Sequence, residues 1–102
     1  MSDVEYQSGD RVFEWDSDKA RRNLQKHKVS FEEAAMVFAD ENRIERFDEE
    51  HSDDEDRYVT IGKVNRILFV VYTERSEATR LISARKATFK ERKDYYAGTK
   101  SY

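Results

Sequence analysis

Residues 57–73, R-Y-V-T-I-G-K-V-N-R-I-L-F-V-V-Y-T, constrain the fold more than any other stretch of the chain. Arg57 to Val64 is rich in β-branched and aromatic residues, which suit a pleated strand. Ile67 to Thr73 is apolar on both faces, as a central strand should be. Asn65 stands where a tight turn is needed and tolerates the backbone that such a turn demands. Two strands joined this closely must run antiparallel. A further strand follows at Thr79 to Lys86. Its alternate sets are Arg80, Ile82 and Ala84 against Leu81, Ser83 and Arg85.

Helices flank these strands. Arg11 to Trp15 reads as a short strand, and Asp16 then offers a helix N-cap. Along the next segment Ala20, Asn23, Leu24 and His27 recur at helical spacing and share a face. Ser30 opens a second helix through a capping box, S-F-E-E, in which Ser30 and Glu33 satisfy each other's backbone. Phe31, Ala34, Ala35 and Phe38 form its buried stripe, with Val37 alongside. Only two or three residues separate the two helices, so a helical hairpin is expected. Arg43 to Phe47 is a further strand candidate, and H-S-D-D-E-D a polar loop. Thr88 starts a third helix with a second capping box, T-F-K-E. Residues 1–10 read as a flexible tail. The order implied is β-α-α-β-β-β-α, an α+β domain with an antiparallel sheet, spanning residues 1–102 as one unit.

Composition narrows the function. Charged residues make up 40% of the chain and hydrophobic residues 37%, with no Pro. Such a balance borders on disorder, but the periodic aromatics argue for a folded core. There is no Cys, so neither disulfides nor thiolate metal sites are available. The two His residues lack metal-ligand spacing, and the acidic run lacks the Gly and ligand spacing of an EF-hand loop. Neither phosphate-loop pattern occurs. No metal and no cofactor is expected. The longest apolar run is too short to cross a bilayer, and the N-terminal residues lack a signal-peptide pattern. A soluble, cytoplasmic protein is expected.

Charge is unevenly placed. Residues 40–56 carry net −8 and residues 75–102 net +5, within a chain of net −3. Local sign therefore matters more than the total. Arginine binds phosphate bidentately and keeps its charge through a phosphoryl transition state. Arg57, Arg75, Arg80, Arg85 and Arg92 lie on or beside elements that neighbouring strands can bring together. Tyr58, Tyr72, Tyr95 and Tyr96 can stack bases. Two readings follow from the residues alone. Either this is an RNA-binding face, or the arginines pair with the acidic run and the tyrosines fill the edge of the core. His27 likewise has two readings: a general acid or base near neutral pH, or a helix-end cation.

Three motifs in order, F-E-W-D-S-D-K-A-R-R-N-L-Q-K-H-K-V-S-F-E-E-A, H-S-D-D-E-D-R-Y-V-T-I-G and L-I-S-A-R-K-A-T-F-K-E-R, resemble the BrnT toxin family from about Phe13 to Tyr96. One departure is Lys28, where that family usually has Gly. The resemblance implies a RelE-like fold and a ribonuclease toxin of a type II toxin–antitoxin system. It implies metal-independent RNA cleavage through 2′-OH attack. The implied partner is a BrnA-like antitoxin with a ribbon-helix-helix DNA-binding part, so operator DNA is met only through the antitoxin. Motif positions point to Lys26, His27, Arg57, Arg80 and Arg85 as catalytic, and to Lys86, Arg92 and Tyr95 as RNA-binding. Glu55 and Glu91 are implied in proton transfer or in orienting an arginine. The competing class is a non-catalytic module that binds an antitoxin or nucleic acid.

Overall fold

A computed structural model of the chain describes residues 2–51 and 55–99. The sheet has six strands: β1 (Asp3–Ser8), β2 (Arg11–Asp16), β3 (Ile44–Phe47), β4 (Tyr58–Val64), β5 (Arg66–Glu74) and β6 (Thr79–Lys86). Their spatial order is β1-β2-β6-β5-β4-β3, and every pair is antiparallel except β2 with β6. Three helices complete the domain: α1 (Ser17–His27), α2 (Phe31–Met36) and α3 (Phe89–Thr99). A 3-10 turn, Val37–Ala39, prolongs α2.

The expected α+β domain is present, with one strand more at its start. Residues 3–8 are not a tail: they pair in register with β2, from Asp3 opposite Asp16 to Ser8 opposite Arg11. Val4 and Tyr6 pack against the core from that strand, and Tyr6 meets Trp15 with ring centroids 5.6 Å apart. The Arg43–Phe47 segment also counts as a strand, from Ile44. Residues 52–54 of the expected H-S-D-D-E-D loop lie outside the described residues.

Helices cover both faces of the sheet. On one face α1 and α2 pack over Phe13, Trp15, Leu68, Val70, Tyr72, Leu81 and Ala84. The predicted stripe of α2 is buried throughout, and Phe38 meets Phe13 and Tyr72 edge to face. The two helices lean on β6 more than on each other, so the hairpin is held through the sheet. On the opposite face α3 covers Val59, Ile61 and Ile67 with Tyr95. It covers only one end of that face.

The caps formed as their chemistry dictates, with one exception. Asp16 accepts from the Lys19 N–H at 3.0 Å, and Ser30 from the Glu33 N–H at 3.0 Å. Thr88 and Glu91 complete the reciprocal box at α3. Glu33 does not reach back; it takes the Arg66 guanidinium instead, at 2.8 and 2.9 Å. Lys28 sits in the left-handed region, φ 60°, which caps α1. Asn65 does the same at the β4–β5 turn, φ 59°.

One face assignment on α1 changes. Leu24 is 48% exposed, while Asn23 beside it is buried. The reason lies on β6. Strand β2 pairs with β6 only at Thr79 and Arg80 before the chain turns into α1. Beyond that point the edge of β6 has no strand partner, and its buried backbone must be satisfied otherwise. The Asn23 amide does this. Its Nδ2 donates to the Ala84 carbonyl at 2.8 Å and to the Val29 carbonyl at 3.0 Å, and its Oδ1 accepts from the Ala84 N–H at 3.1 Å.

The expected alternation along β6 also breaks. Val71 pairs with Ser83 and Tyr72 with Leu81, so Ile82 is a bulge residue. Leu81 and Ala84, three positions apart, therefore enter the same core.

Two outcomes are expected in thermal or urea unfolding. Asn23→Ala strands three buried backbone groups and should cost about 2–4 kcal/mol, at about 1–3 kcal/mol per orphaned group with partial relaxation. Lys28→Gly removes the left-handed strain at the α1 cap and should raise stability by up to about 1 kcal/mol.

Candidate nucleic-acid interface

The part of the sheet that α3 leaves uncovered forms a groove of about 540 Å³. Val59, Phe69 and Val71 make its apolar floor. Arg46, Arg57, Arg85 and His51 bring positive or ionisable groups to it, from β3, the start of β4, β6 and a 3-10 turn at Glu49–His51. The β6 bulge serves this face, since it lets Ser83 and Arg85 line the groove while Ala84 stays in the opposite core.

Arg85 is the most tightly positioned cation of the groove. Glu91 takes its Nη1 and Nη2 at 2.8 and 2.9 Å, and the Lys86 carbonyl takes Nη1 at 3.1 Å. Its guanidinium carbon lies 3.9 Å from the centroid of the Phe69 ring. Glu91 is itself fixed by the Thr88 N–H at 2.8 Å. The capping box of α3 thus also aims an arginine. Hydrogen bonds from Arg85 are the main cause that holds the Glu91 carboxyl below its ordinary value; burial opposes them, and the Thr88 N–H adds to them. The Arg85 N–H groups not taken by these partners remain available to a phosphate oxygen.

His51 Nδ1 lies 2.9 Å from Asp48 Oδ2. A carboxylate at one ring nitrogen fixes the orientation of the imidazole and leaves the other nitrogen for proton transfer. Arg46 pairs with Asp94 of α3 at 3.0 Å. Sequence reasoning gave His51 no role and did not single out Arg46. Their only sequence signal was position: both lie within the acidic segment 40–56, whose strand β3 pairs with β4.

The other expected residues are dispersed. Arg80 is held by Asp3 and Glu14 at 3.1 Å each, an anchor between β6 and the two N-terminal strands. Lys26 and His27 lie on the far side of Ile82, in a separate depression on α1. Lys86 is exposed at the end of β6 and lines neither the groove nor the α1 depression. Arg92 donates to the Ala87 carbonyl at 2.9 Å and lies on an outer surface of α3 with Phe89 and Tyr96. Glu55 is exposed and pairs with Arg75 at 3.4 Å.

Tyr95 is buried, at 4% exposure, and cannot stack a base. Its hydroxyl donates to Asp40 Oδ2 at 2.6 Å and so pins α3 to the end of the α2 segment. Burial, then the Asp40 carboxylate, push the Tyr95 phenol well above its ordinary value. Burial alone would raise Asp40. The Tyr95 hydroxyl, the Asn42 and Lys63 N–H groups and Arg43 outweigh it, and the carboxyl is lowered. Tyr72 is likewise core, its phenol pushed up to about 12 by burial and nearby Glu45 and Glu74. Tyr58 stacks on Tyr72, while Tyr96 is exposed.

Among the described residues no cluster of three His, Asp or Glu side chains is arranged to hold a metal ion, and no helix is long and apolar enough to cross a membrane.

Fold and groove together define the class: a small α+β domain, helices on both faces of one sheet, with an arginine-lined groove on the uncovered end. The chain belongs to the family of BrnT ribonuclease toxins of type II toxin–antitoxin systems, whose model matches residues 15–91. It is similar to the crystal structure of the Brucella abortus ribonuclease toxin BrnT, with 28% identity and a TM-score of 0.55, over 72% of this chain and 92% of that one. A search of curated proteins returns no match. Strand β1 lies ahead of the matched family residues.

Asp40 and Glu91 both have lowered folded values, so the native state binds fewer protons than the unfolded chain. Their contribution is full above the ordinary range of 3.8 to 4.5 and is lost as pH falls through the folded values. Tyr95→Phe should cost about 1–2 kcal/mol at neutral pH. That penalty should shrink in acid, where Asp40 is protonated. Denaturant midpoints across pH 2–7 check it, roughly bracketing the carboxylate range.

Proposed function

We propose that the chain is an endoribonuclease that cuts RNA in the groove, without a metal, by attack of a ribose 2′-OH on the adjacent phosphorus. The bond from the 2′-oxygen to phosphorus forms, and the bond from phosphorus to the 5′-oxygen breaks. The products are a 2′,3′-cyclic phosphate and a free 5′-hydroxyl. One proton leaves the 2′-OH and one must reach the departing 5′-oxygen.

The observation that carries this reading is the convergence of Arg57 and Arg85 on one groove with the Asp48-oriented His51. Arg85 is a pre-aimed cation for the non-bridging phosphate oxygens, where charge builds in the transition state. Arg57 supplies a second. Glu91 is a positioning residue that acts through Arg85. His51 is the proton-transfer group in reach of the groove floor. Phe69 and Val71 offer apolar surface to a ribose or base edge. Lys26, His27 and Arg80 take no part in this chemistry, because they line other surfaces.

Family membership supports the biological setting. A type II toxin is neutralised by a protein antitoxin, which we take to be BrnA-like, with a ribbon-helix-helix part that alone meets operator DNA. The setting is the cytoplasm, where RNA and the antitoxin are made.

Arg57→Ala and Arg85→Ala should each lower RNA cleavage by about 10²–10³-fold, the range for loss of a transition-state charge partner. His51→Ala should lower it by about 10²–10⁴-fold. Mapping product ends should find 2′,3′-cyclic phosphates, with cleavage unaffected by EDTA. Full cleavage by the arginine variants would sink the assignment. Growth arrest on induction, relieved by coexpressed antitoxin and abolished by Arg85→Ala, separates an enzyme from a binding module.

A further inference from the structure

The groove contains cations, but its arginines are not idle. Arg85 answers Glu91 and Arg46 answers Asp94, while Asp48 and Glu50 stand at its rim. Charge so compensated can orient a phosphate, yet it supplies little of the counterion release that drives polyanion binding. The same pairing recurs elsewhere, as at Arg66 with Glu33 and Arg80 with Glu14. One place differs. Lys19, Arg22 and Lys26 stand along the outer side of α1, at i, i+3 and i+7, where helical spacing stacks them on one stripe. All three are exposed, and none has a carboxylate within ion-pair distance among the described residues.

These three residues, with His27, line a depression of about 290 Å³. Its inner wall is Asn23 and Ile82. Ile82 also lines the groove. The bulge residue of β6 is therefore a shared wall, with the compensated groove on one side and the uncompensated stripe on the other.

We propose that the α1 stripe is a second phosphate-binding subsite, which holds the RNA backbone after it passes over Ile82 from the groove. This rests on reading the groove as the place of cleavage. The groove positions one phosphate for reaction, and Lys19, Arg22 and Lys26 supply affinity through neighbouring phosphates. Lys26 and His27 thereby acquire a role in substrate binding rather than in catalysis.

The test uses the full chain and the double variant Lys19→Ala/Arg22→Ala, whose exposed helical positions tolerate alanine. Two substrates are compared. A dinucleotide holds only the scissile phosphate; a single-stranded RNA of about 20 nucleotides also spans the stripe. A 2′-O-methyl version of the long strand, which cannot be cut, reports binding across a salt series. The variant should cut the dinucleotide as the parent does, and bind the long strand at least about tenfold more weakly. The slope of log affinity against log salt should fall by about 1.4, at about 0.7 per phosphate contact for single strands.

Unchanged binding of the long strand overturns the subsite. So does an equal loss on both substrates, which would assign the residues to the chemistry. Weakened antitoxin binding with intact RNA binding overturns it in favour of a protein-docking face. A parent protein that cuts neither substrate, with the expected salt slope still present, would instead defeat the reading of the groove and leave the subsite standing.

Discussion

The Asn23 amide is the interaction on which the arrangement of this domain depends. An α+β sheet that receives a helix beside a strand has an edge problem, because a helix offers no backbone ladder to the strand. Here one side chain substitutes for a strand residue. It donates to and accepts from the same residue, Ala84, and ties in the Val29 carbonyl at the α1–α2 junction. That single amide fixes α1 against β6, and it fixes the start of α2 through Val29. It also sets the position of Arg85, the next residue along β6. The helix, the bulge at Ile82 and the groove arginine are therefore one mechanical unit.

A second chain of dependence runs through α3. The Thr88–Glu91 box that starts the helix also grips Arg85, whose plane rests on Phe69. Aligned in this way, the guanidinium would need no reorganisation if charge developed beside it, as the proposed reaction requires. The helix is itself held by Tyr95 on Asp40. Asp40 therefore matters to the site although it lies outside the groove: it fixes the helix that fixes the carboxylate that fixes the arginine.

What the sequence made legible follows the range of the interaction. Caps at Asp16, Ser30 and Thr88, the α2 stripe and the Asn65 turn depend on neighbours within a few residues, and each formed. The longer-range features were hidden. Nothing local marks Ile82 as a bulge, yet the bulge decides which side of the sheet Ala84 and Arg85 occupy. Glu33 looked like the second half of a capping box, but Arg66, far along the chain, is a stronger partner for a carboxylate than a single N–H. The polar residues 1–10 looked unable to bury themselves, whereas Val4 and Tyr6 alternate with exposed residues and are covered once β2 is beside them. Of the residues to which motif resemblance pointed, Arg57 and Arg85 line one groove and Glu91 pairs with Arg85. The resemblance also drew in Arg80 and Tyr95, whose positions in the chain serve an ion pair and a core contact.

The acidic run gains a meaning from these contacts that its charge alone did not convey. Asp40 organises Tyr95 and the Lys63 N–H, Glu45 pairs with Arg43, and Asp48 orients His51. Asp40 and Glu45 are structural and stand outside the groove, whereas Asp48 and Glu50 line it. A polyanion that enters this groove meets the Asp48 and Glu50 carboxylates as well as Arg57 and Arg85. Repulsion at the rim weakens indiscriminate binding by any phosphate polymer, and attraction on the α1 stripe draws in one that lies across β6. In the proposed reading, affinity and chemistry stand on opposite sides of Ile82. A chain of net −3 can act on RNA in this way, because orientation rather than total charge decides which phosphate reaches the arginines.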